Sequence, residues 1–413
     1  MNDREQRGLA IAALCNITKK ASGGYLVPSQ SGGTPYTVQL DPENPTCTCQ
    51  DHETRGCRCK HIYAAQFVVT REEHADGSVT ETKTITVTET KTTAPRKTYK
   101  QDWPAYNKAQ TTEKRQFQVL LADLCGTIKD EPQVTGRPGP KPFSMADIIF
   151  SATFKVYSTF SGRRFMVDLE DANEKGRTTR LMHYNSIFRY LENPKLTPIL
   201  RDLVSRSALP LKSVETGFAV DSSGFSTSTF VKWFDFKHGG DKRIRQWIKT
   251  HLMVGVKTHV VTSVEIDQTN QSDYNQFAPL VSTTAESFTI KDVSADKAYL
   301  GNSTLNLVDS LGGTLFAPFK SNSTAGEPGT VWNRMFAFWQ FHRDTFLQRY
   351  HSRSNIESVF SMMKRKHGNA IRSKTPTAQV NEVLCKVLTH NICVLCQEIQ
   401  ELGIAATFAL PAE

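Results

Sequence analysis

Residues 350–364 read YHSRSNIESVFSMMK. A helix turns about 100° per residue, so side chains can be placed around its axis. With Glu357 at the origin, Arg353 falls at about −40°, Lys364 at about −20° and, if the helix begins that early, Tyr350 at about +20°, a stripe roughly 60° wide. Ile356, Phe360 and Met363 lie beside the stripe, on a face that can be buried. One acid thus stands among two cations and a phenol, next to an apolar seam. A solvated helix face would account for the charges but not for their clustering. Nor would it explain why the run continues with Arg365, Lys366 and His367. The pattern suits a carboxylate that holds a metal, flanked by groups that grip phosphate, and it requires partner carboxylates elsewhere in the chain.

Two aspartates answer that requirement. Asp221 closes the apolar run TGFAVD before SSGF, and Asp296 closes SFTIKDVSAD, with Asp292 a rival four residues earlier. Between them WIKTHLMVGVKTHVVTSVEI reads as two β-branched strands around Lys257-Thr258. STLNLVDSLG, after Asp296, reads as an amphipathic helix and TLFAPFK as a further strand. A mixed sheet flanked by helices would bring the two strand ends together beneath the Glu357 helix. Three converging carboxylates need cations to stay ionised together. Oxygen ligands suit Mg²⁺ or Mn²⁺. Two such ions about 3.5–4 Å apart activate an attacking oxygen and stabilise a leaving one at phosphorus.

The spacing Tyr350, Arg353, Glu357, Lys364 matches without a gap the Tyr-Arg-Glu-Lys signature of bacterial insertion-sequence DDE transposases. AVDSSGF and SADKAYLG resemble that family's first and second acid motifs, and the similarity runs from about residue 213 to 400. The resemblance implies an RNase H-like α/β fold and makes Asp221, Asp296 and Glu357 the catalytic, metal-binding acids. Tyr350, Arg353 and Lys364 would then contact double-stranded transposon-end DNA, with Arg365 and Lys366 beside them. It also implies DNA cleavage followed by strand transfer, a homodimer on DNA and a prokaryotic, cytoplasmic, nucleoid-associated setting. Two other readings are a nuclease of the same fold that does not join DNA and a non-catalytic DNA-binding derivative. Sixty residues separate Asp296 from Glu357, too few for the large β-rich insertion of some relatives, and GEPGTVWNRMFAFWQ takes its place.

Near the N-terminus, CTCQDHETRGCRCKH follows a stretch of short alternating runs over residues 10–40 that reads as a hairpin. Cys47, Cys49, Cys59 and His61 form a closed tetrahedral set for Zn²⁺, structural in kind. His52 and Cys57 are further candidates inside the loop. Cys-x-Cys, a spacer and Cys-x-His after a hairpin resemble the SWIM zinc finger, which implies a module that recognises DNA or protein.

The 413 residues leave room for two or three domains. A net charge of +9 favours a polyanionic partner. Eight Lys or Arg against two acids lie between His342 and Lys374, and KHGGDKRIRQWIK at 237–249 adds a second basic run. Nine cysteines, four of them within 13 residues, indicate metal in a reducing compartment. No 18-residue apolar run suggests a membrane span, and MNDREQRG lacks the apolar core of a signal peptide.

The expected division is a zinc module at 1–69, a Thr/Lys/Glu-rich linker at 70–112, a helical domain at 113–212, a catalytic domain at 213–402 and a tail at 403–413. In the helical part, Ser144 with Asp147 suggests a capping box, and Arg163 and Arg164 could approach DNA from a helix-turn-helix. Cys393 and Cys396 have CxxC spacing but sit on the buried face expected of a helix over 376–402.

Overall fold

The computed structural model describes residues 3–21, 23–30, 34–73, 102–129, 141–227, 247–267, 272–406 and 408. Most of the Thr-rich linker, most of the 237–249 basic run and the last residues of the tail lie outside the described residues. The chain forms two compact units, one of residues 1–99 with 319–347 and one of 100–318 with 348–413.

In the first unit, helix α1 (Asp3–Leu14) precedes four short strands, β1 (Thr18–Lys19), β2 (Tyr25–Val27), β3 (Tyr36–Gln39) and β4 (Thr46–Cys47), all paired antiparallel in sequence order. The β2–β3 pair is the expected hairpin. Helices α2 (Gln50–Arg55) and α3 (Lys60–Glu73) follow. Ile11, Val27, Val38, Ile62 and Ala65 pack around the cysteines as a small core. A Cβ on Gly8 would lie 2.5 Å from Tyr63 Cβ, so this glycine lets α1 and α3 approach closely.

The second unit contains both the helical segment and the catalytic segment, where the sequence suggested separate domains. Helix α4 (Trp103–Gly126) starts within the expected linker, because Asp102 caps it by accepting from Ala105 N–H at 3.1 Å. Helices α5 (Met145–Ser158), α6 (Gly162–Glu174), α7 (Tyr184–Leu191) and α8 (Leu196–Ala208) follow. Ser144 caps α5, but Asp147 does not complete a capping box: its buried carboxylate accepts from Thr179 N–H at 2.8 Å and from the Thr179 hydroxyl.

The sheet is ordered β7-β6-β5-β8-β9, as expected of an RNase H-like domain. Strands β5 (Gly217–Ser226), β6 (Trp247–Gly255) and β7 (Val261–Asp267) form an antiparallel meander. Helix α9 (Asp273–Ala285) then leads to β8 (Asp292–Ala295), and α10 (Asn302–Ser310) to β9 (Thr314–Phe316), both strands parallel to β5. The expectation that β5 stops at Asp221 is corrected. Its backbone pairs with β6 as far as Ser226, and Ser226 also pairs with the segment after the Glu357 helix, donating to Asn369 O at 3.1 Å and accepting from Ile371 N at 2.8 Å.

After β9 come α11 (Val331–Phe341), α12 (Arg343–Tyr350), a 3₁₀ turn over His351–Arg353, α13 (Ser354–His367) and α14 (Pro376–Glu401). Helix α13 packs on β5 and β6, while α4, α5 and α8 pack against α14. Leu384, Val387, Leu388, Leu395 and Cys396 are buried on α14, the predicted apolar face.

Candidate active site and zinc centre

The parallel register of β5 and β8 places Val220 beside Ala295. Asp221 is the next residue of β5 and Asp296 the residue just past the end of β8, and neighbouring strands lie about 4.8 Å apart. Asp292 pairs in register with Gly217, at the opposite end of β8, and its carboxylate accepts from Arg349 Nη1 at 2.9 Å. The rival for the second acid therefore points to a different place. Asp296 begins the 3₁₀ turn Lys297–Tyr299 and accepts from Lys297 N–H at 2.6 Å.

Glu357 lies in the first turn of α13, whose Ile356, Val359, Phe360 and Met363 are buried as the periodicity required. Tyr350 is not on this helix. It ends α12, and the 3₁₀ turn intervenes, so the Glu357 helix does not begin early enough to include it. The Arg353 guanidinium still sits 6.0 Å from the Tyr350 ring centre. Its Nη1 donates to Asp221 Oδ2 and its Nη2 to Glu357 Oε1 at 2.6 Å. Arg353 thus bridges the first and third acids.

Burial pushes the Asp221 carboxyl above its ordinary value, and nearby Asp296 and Glu357 push it the same way. The Ser222 N–H, 2.8 Å from Asp221 Oδ1, and the Arg353 charge oppose that shift. Added positive charge beside Asp221 would oppose this shift. Hard oxygen donors of this kind fit Mg²⁺ or Mn²⁺.

A cavity of about 520 Å³ opens beside these groups, lined by Asp221, Ser223, Glu357, Lys364, Arg365 and Asn369 among others. Lys364 donates to Ser223 Oγ at 2.6 Å. Lys366 is turned elsewhere and pairs with Glu113 of α4. Arg365 therefore faces the cavity, whereas Lys366 serves the packing of α13 on the helical bundle.

Three devices that the sequence reading missed hold α13 in place. Ser294 on β8 bonds Arg349 O at 3.0 Å and Ser352 Oγ at 2.7 Å, tying the strand of Asp296 to the turn before α13. His259 Nε2 and Asn355 Oδ1 lie 3.1 Å apart at the start of the helix. At its other end the buried Lys386 donates to His367 O, Gly368 O and Ala370 O at 2.9, 2.7 and 3.0 Å. A lone lysine within the apolar run of α14 was the available signal.

In the first unit, Cys47, Cys49, Cys59 and His61 are all buried, with ligand atoms within 4.8 Å of one another. His61 Nδ1 lies 3.8 Å from Cys47 Sγ and 3.9 Å from Cys59 Sγ. Tetrahedral zinc at bond lengths of about 2.0–2.3 Å asks for ligand separations near these. The Cys47 hydrogen bond draws the Cys59 thiol below its ordinary value, while that bond and burial raise Cys47. His52 points its Nδ1 at Cys57 O, 2.8 Å away, so neither spare candidate joins the set. The cluster supports a structural zinc site. It is the only group of three or more such ligands gathered this tightly among the described residues, and the acids around Arg353 are more widely spread.

Two family models match parts of the chain. Residues 212–392 match the family model of the transposase DDE domain, and residues 36–65 match the SWIM zinc finger. No solved structure matches the chain. No helix among the described residues is long and apolar enough to cross a membrane. The chain is therefore similar to the SWIM zinc finger in its first unit and to the transposase DDE domain over the segment that bears Asp221, Asp296 and Glu357.

Proposed function

We propose that this protein is a DNA transposase whose acids Asp221, Asp296 and Glu357 form one catalytic set. The observation that carries the reading is the bridge from Arg353 to both Asp221 and Glu357, beside the strand end that bears Asp296. Two divalent ions, Mg²⁺ or Mn²⁺, held by these carboxylates would activate the attacking oxygen and stabilise the leaving one. Arg353 occupies the space between two acids and neutralises them. With ions taking over that neutralisation, its guanidinium would be free to grip a phosphate bidentately. Lys364 and Arg365, on the same wall of the cavity, add positive charge where a phosphodiester would enter. Tyr350, whose ring centre lies 6.0 Å from the Arg353 guanidinium, would contact the DNA beside it. The protein would cut the element's end to expose a 3′ hydroxyl, then direct that hydroxyl at target DNA. A pair of protomers on the DNA would bring two ends together.

The test incubates purified protein and Mg²⁺ with labelled DNA from the flanks of its own gene. Joined products support the transposase reading. Cleavage without joining moves the assignment to a nuclease of the same fold. Tight binding with neither product, in Mn²⁺ as well, moves it to a non-catalytic DNA-binding protein.

A further inference from the structure

The first unit holds a second cleft, of about 760 Å³, that the catalytic reading does not use. Its walls come from α1, the zinc loop and residues 319–343, a stretch that lies between Asp296 and Glu357 in sequence. Six cationic residues line it, Arg4, Arg7, Arg55, Lys60, Lys320 and Arg343, against two acids, Asp3 and Asp51. Asp51 is already engaged, 3.2 Å from Arg4 and 3.5 Å from Arg55. That leaves Arg7, Lys60, Lys320 and Arg343 on the cleft, with Asp3 and the zinc-set thiols Cys49 and Cys59 as the other acidic groups of its lining.

Arg7 is the informative member. Its guanidinium lies 5.6 Å from the Phe336 ring centre, and its Nε and Nη2 are shielded from water without a hydrogen-bond partner. Two unmet donors on one planar fork are costly in isolation and suit a pair of oxygens on one phosphate. Lys60 stands on the same cleft and donates to Gln30 Oε1 at 3.2 Å. Burial lowers the Arg7 guanidinium below its ordinary value, which an entering anion would reverse. The Arg343 guanidinium lies 4.5 Å from the Trp339 ring centre, a flat cationic surface at the cleft wall. Ser321 and Asn322 add neutral polar side chains.

We infer that this cleft binds the phosphodiester backbone of duplex DNA, with Arg7 and Lys60 at its floor and Lys320 and Arg343 at its rim. The stretch between the second and third acids thereby completes a DNA-binding surface on the zinc module. Such contacts neutralise phosphates without reading bases, so they anchor any duplex equally. The inference takes from the proposed function only that the chain meets duplex DNA, and its test reads binding and not cleavage.

The experiment measures affinity of the full-length, zinc-loaded protein for two 30-base-pair duplexes, one from the gene's own flank and one unrelated, over a salt series without added Mg²⁺. Each phosphate contact contributes about 0.9 to the slope of log K against log salt. Arg7→Gln with Lys60→Gln should lower affinity about tenfold or more on both duplexes and reduce the slope by about two. Lys320→Gln with Arg343→Gln, at exposed positions, should act in the same direction and guards against misfolding of the first pair. Zinc content, measured in parallel, should match the wild type. Unchanged affinity and slope in the rim pair would overturn the inference. So would loss of binding to polyglutamate with duplex binding intact, which would assign the cleft to an acidic protein segment.

Discussion

Replacing Arg353 by Met removes the charge between Asp221 and Glu357 while keeping most of the side chain's bulk. The two contacts differ in weight. Arg353 and Asp221 expose only 22% and 21% of their side chains, whereas Glu357 exposes 59%. A hydrogen bond to a charged, half-buried partner is worth about 1.5–3 kcal/mol, while an exposed pair on one helix contributes about 0.3–0.5 kcal/mol. The Asp221 contact therefore dominates, and the coupling between Arg353→Met and Asp221→Asn in a double-mutant cycle should be about 1.5–3 kcal/mol at pH 7. The sign with pH follows from the raised Asp221 carboxyl. Its folded value lies above its unfolded one, so ionising it costs stability as pH rises through that range, and Arg353 limits the cost. As pH falls and Asp221 takes up its proton, the coupling should shrink towards zero. Saturating Mg²⁺ should reduce it as well, since the ions replace the arginine as counter-charge. Urea unfolding of the four proteins at pH 7 and in acid provides the measurement. A coupling below about 0.5 kcal/mol at pH 7, or one that survives protonation, would refute the reasoning.

Three further outcomes follow from the same structure. Burial, with Glu401 and Glu215 nearby, pushes the Glu398 carboxyl up to about 7, so its ionisation costs stability as pH rises from the ordinary carboxylate range through 7. Glu398→Gln should raise the melting temperature at pH 8 and change it little at pH 5. Removing zinc with a strong chelator, or substituting Cys59→Ser, should open residues 3–73 to proteolysis while 141–227 stay resistant, as limited digestion and mass spectrometry would show. Lys386→Met strands three carbonyl acceptors at the end of α13 and should cost at least about 2 kcal/mol. It should also lower joining activity without moving the salt dependence of DNA binding.

What the sequence disclosed was what local spacing encodes. Cys47, Cys49, Cys59 and His61 lie within 15 residues, and the loop between them places all four at one point. Ile356, Phe360 and Met363 repeat at helical spacing and are buried together beside Glu357. Alternation and β-branching located β6 and β7 on either side of Lys257-Thr258. The rest depends on tertiary choices that no window of sequence holds. Asp221 and Asp296 become neighbours only through the register of two parallel strands 75 residues apart. The same register sets Asp292 at the other end of β8, where it pairs with Arg349. Lys366 looks like its neighbour Arg365 in sequence, yet helix geometry turns it to Glu113. Residues 319–347 read as part of the catalytic segment, but their aromatic side chains, Phe319, Trp332 and Phe336, pack together within the zinc-bearing unit. Helix α4 begins early because Asp102 and Pro104 form a start signal that the polar composition around them concealed.

The most direct test of one catalytic set compares strand joining by Asp221→Asn, Asp296→Asn and Glu357→Gln with that of Asp292→Asn. All four should bind flank DNA within a few-fold of wild type. The account predicts that the first three abolish joined product in Mg²⁺, and that Asp292→Asn joins DNA at a rate close to wild type. Joining that survives Glu357→Gln, or an inactive Asp292→Asn beside an active Asp296→Asn, would contradict it.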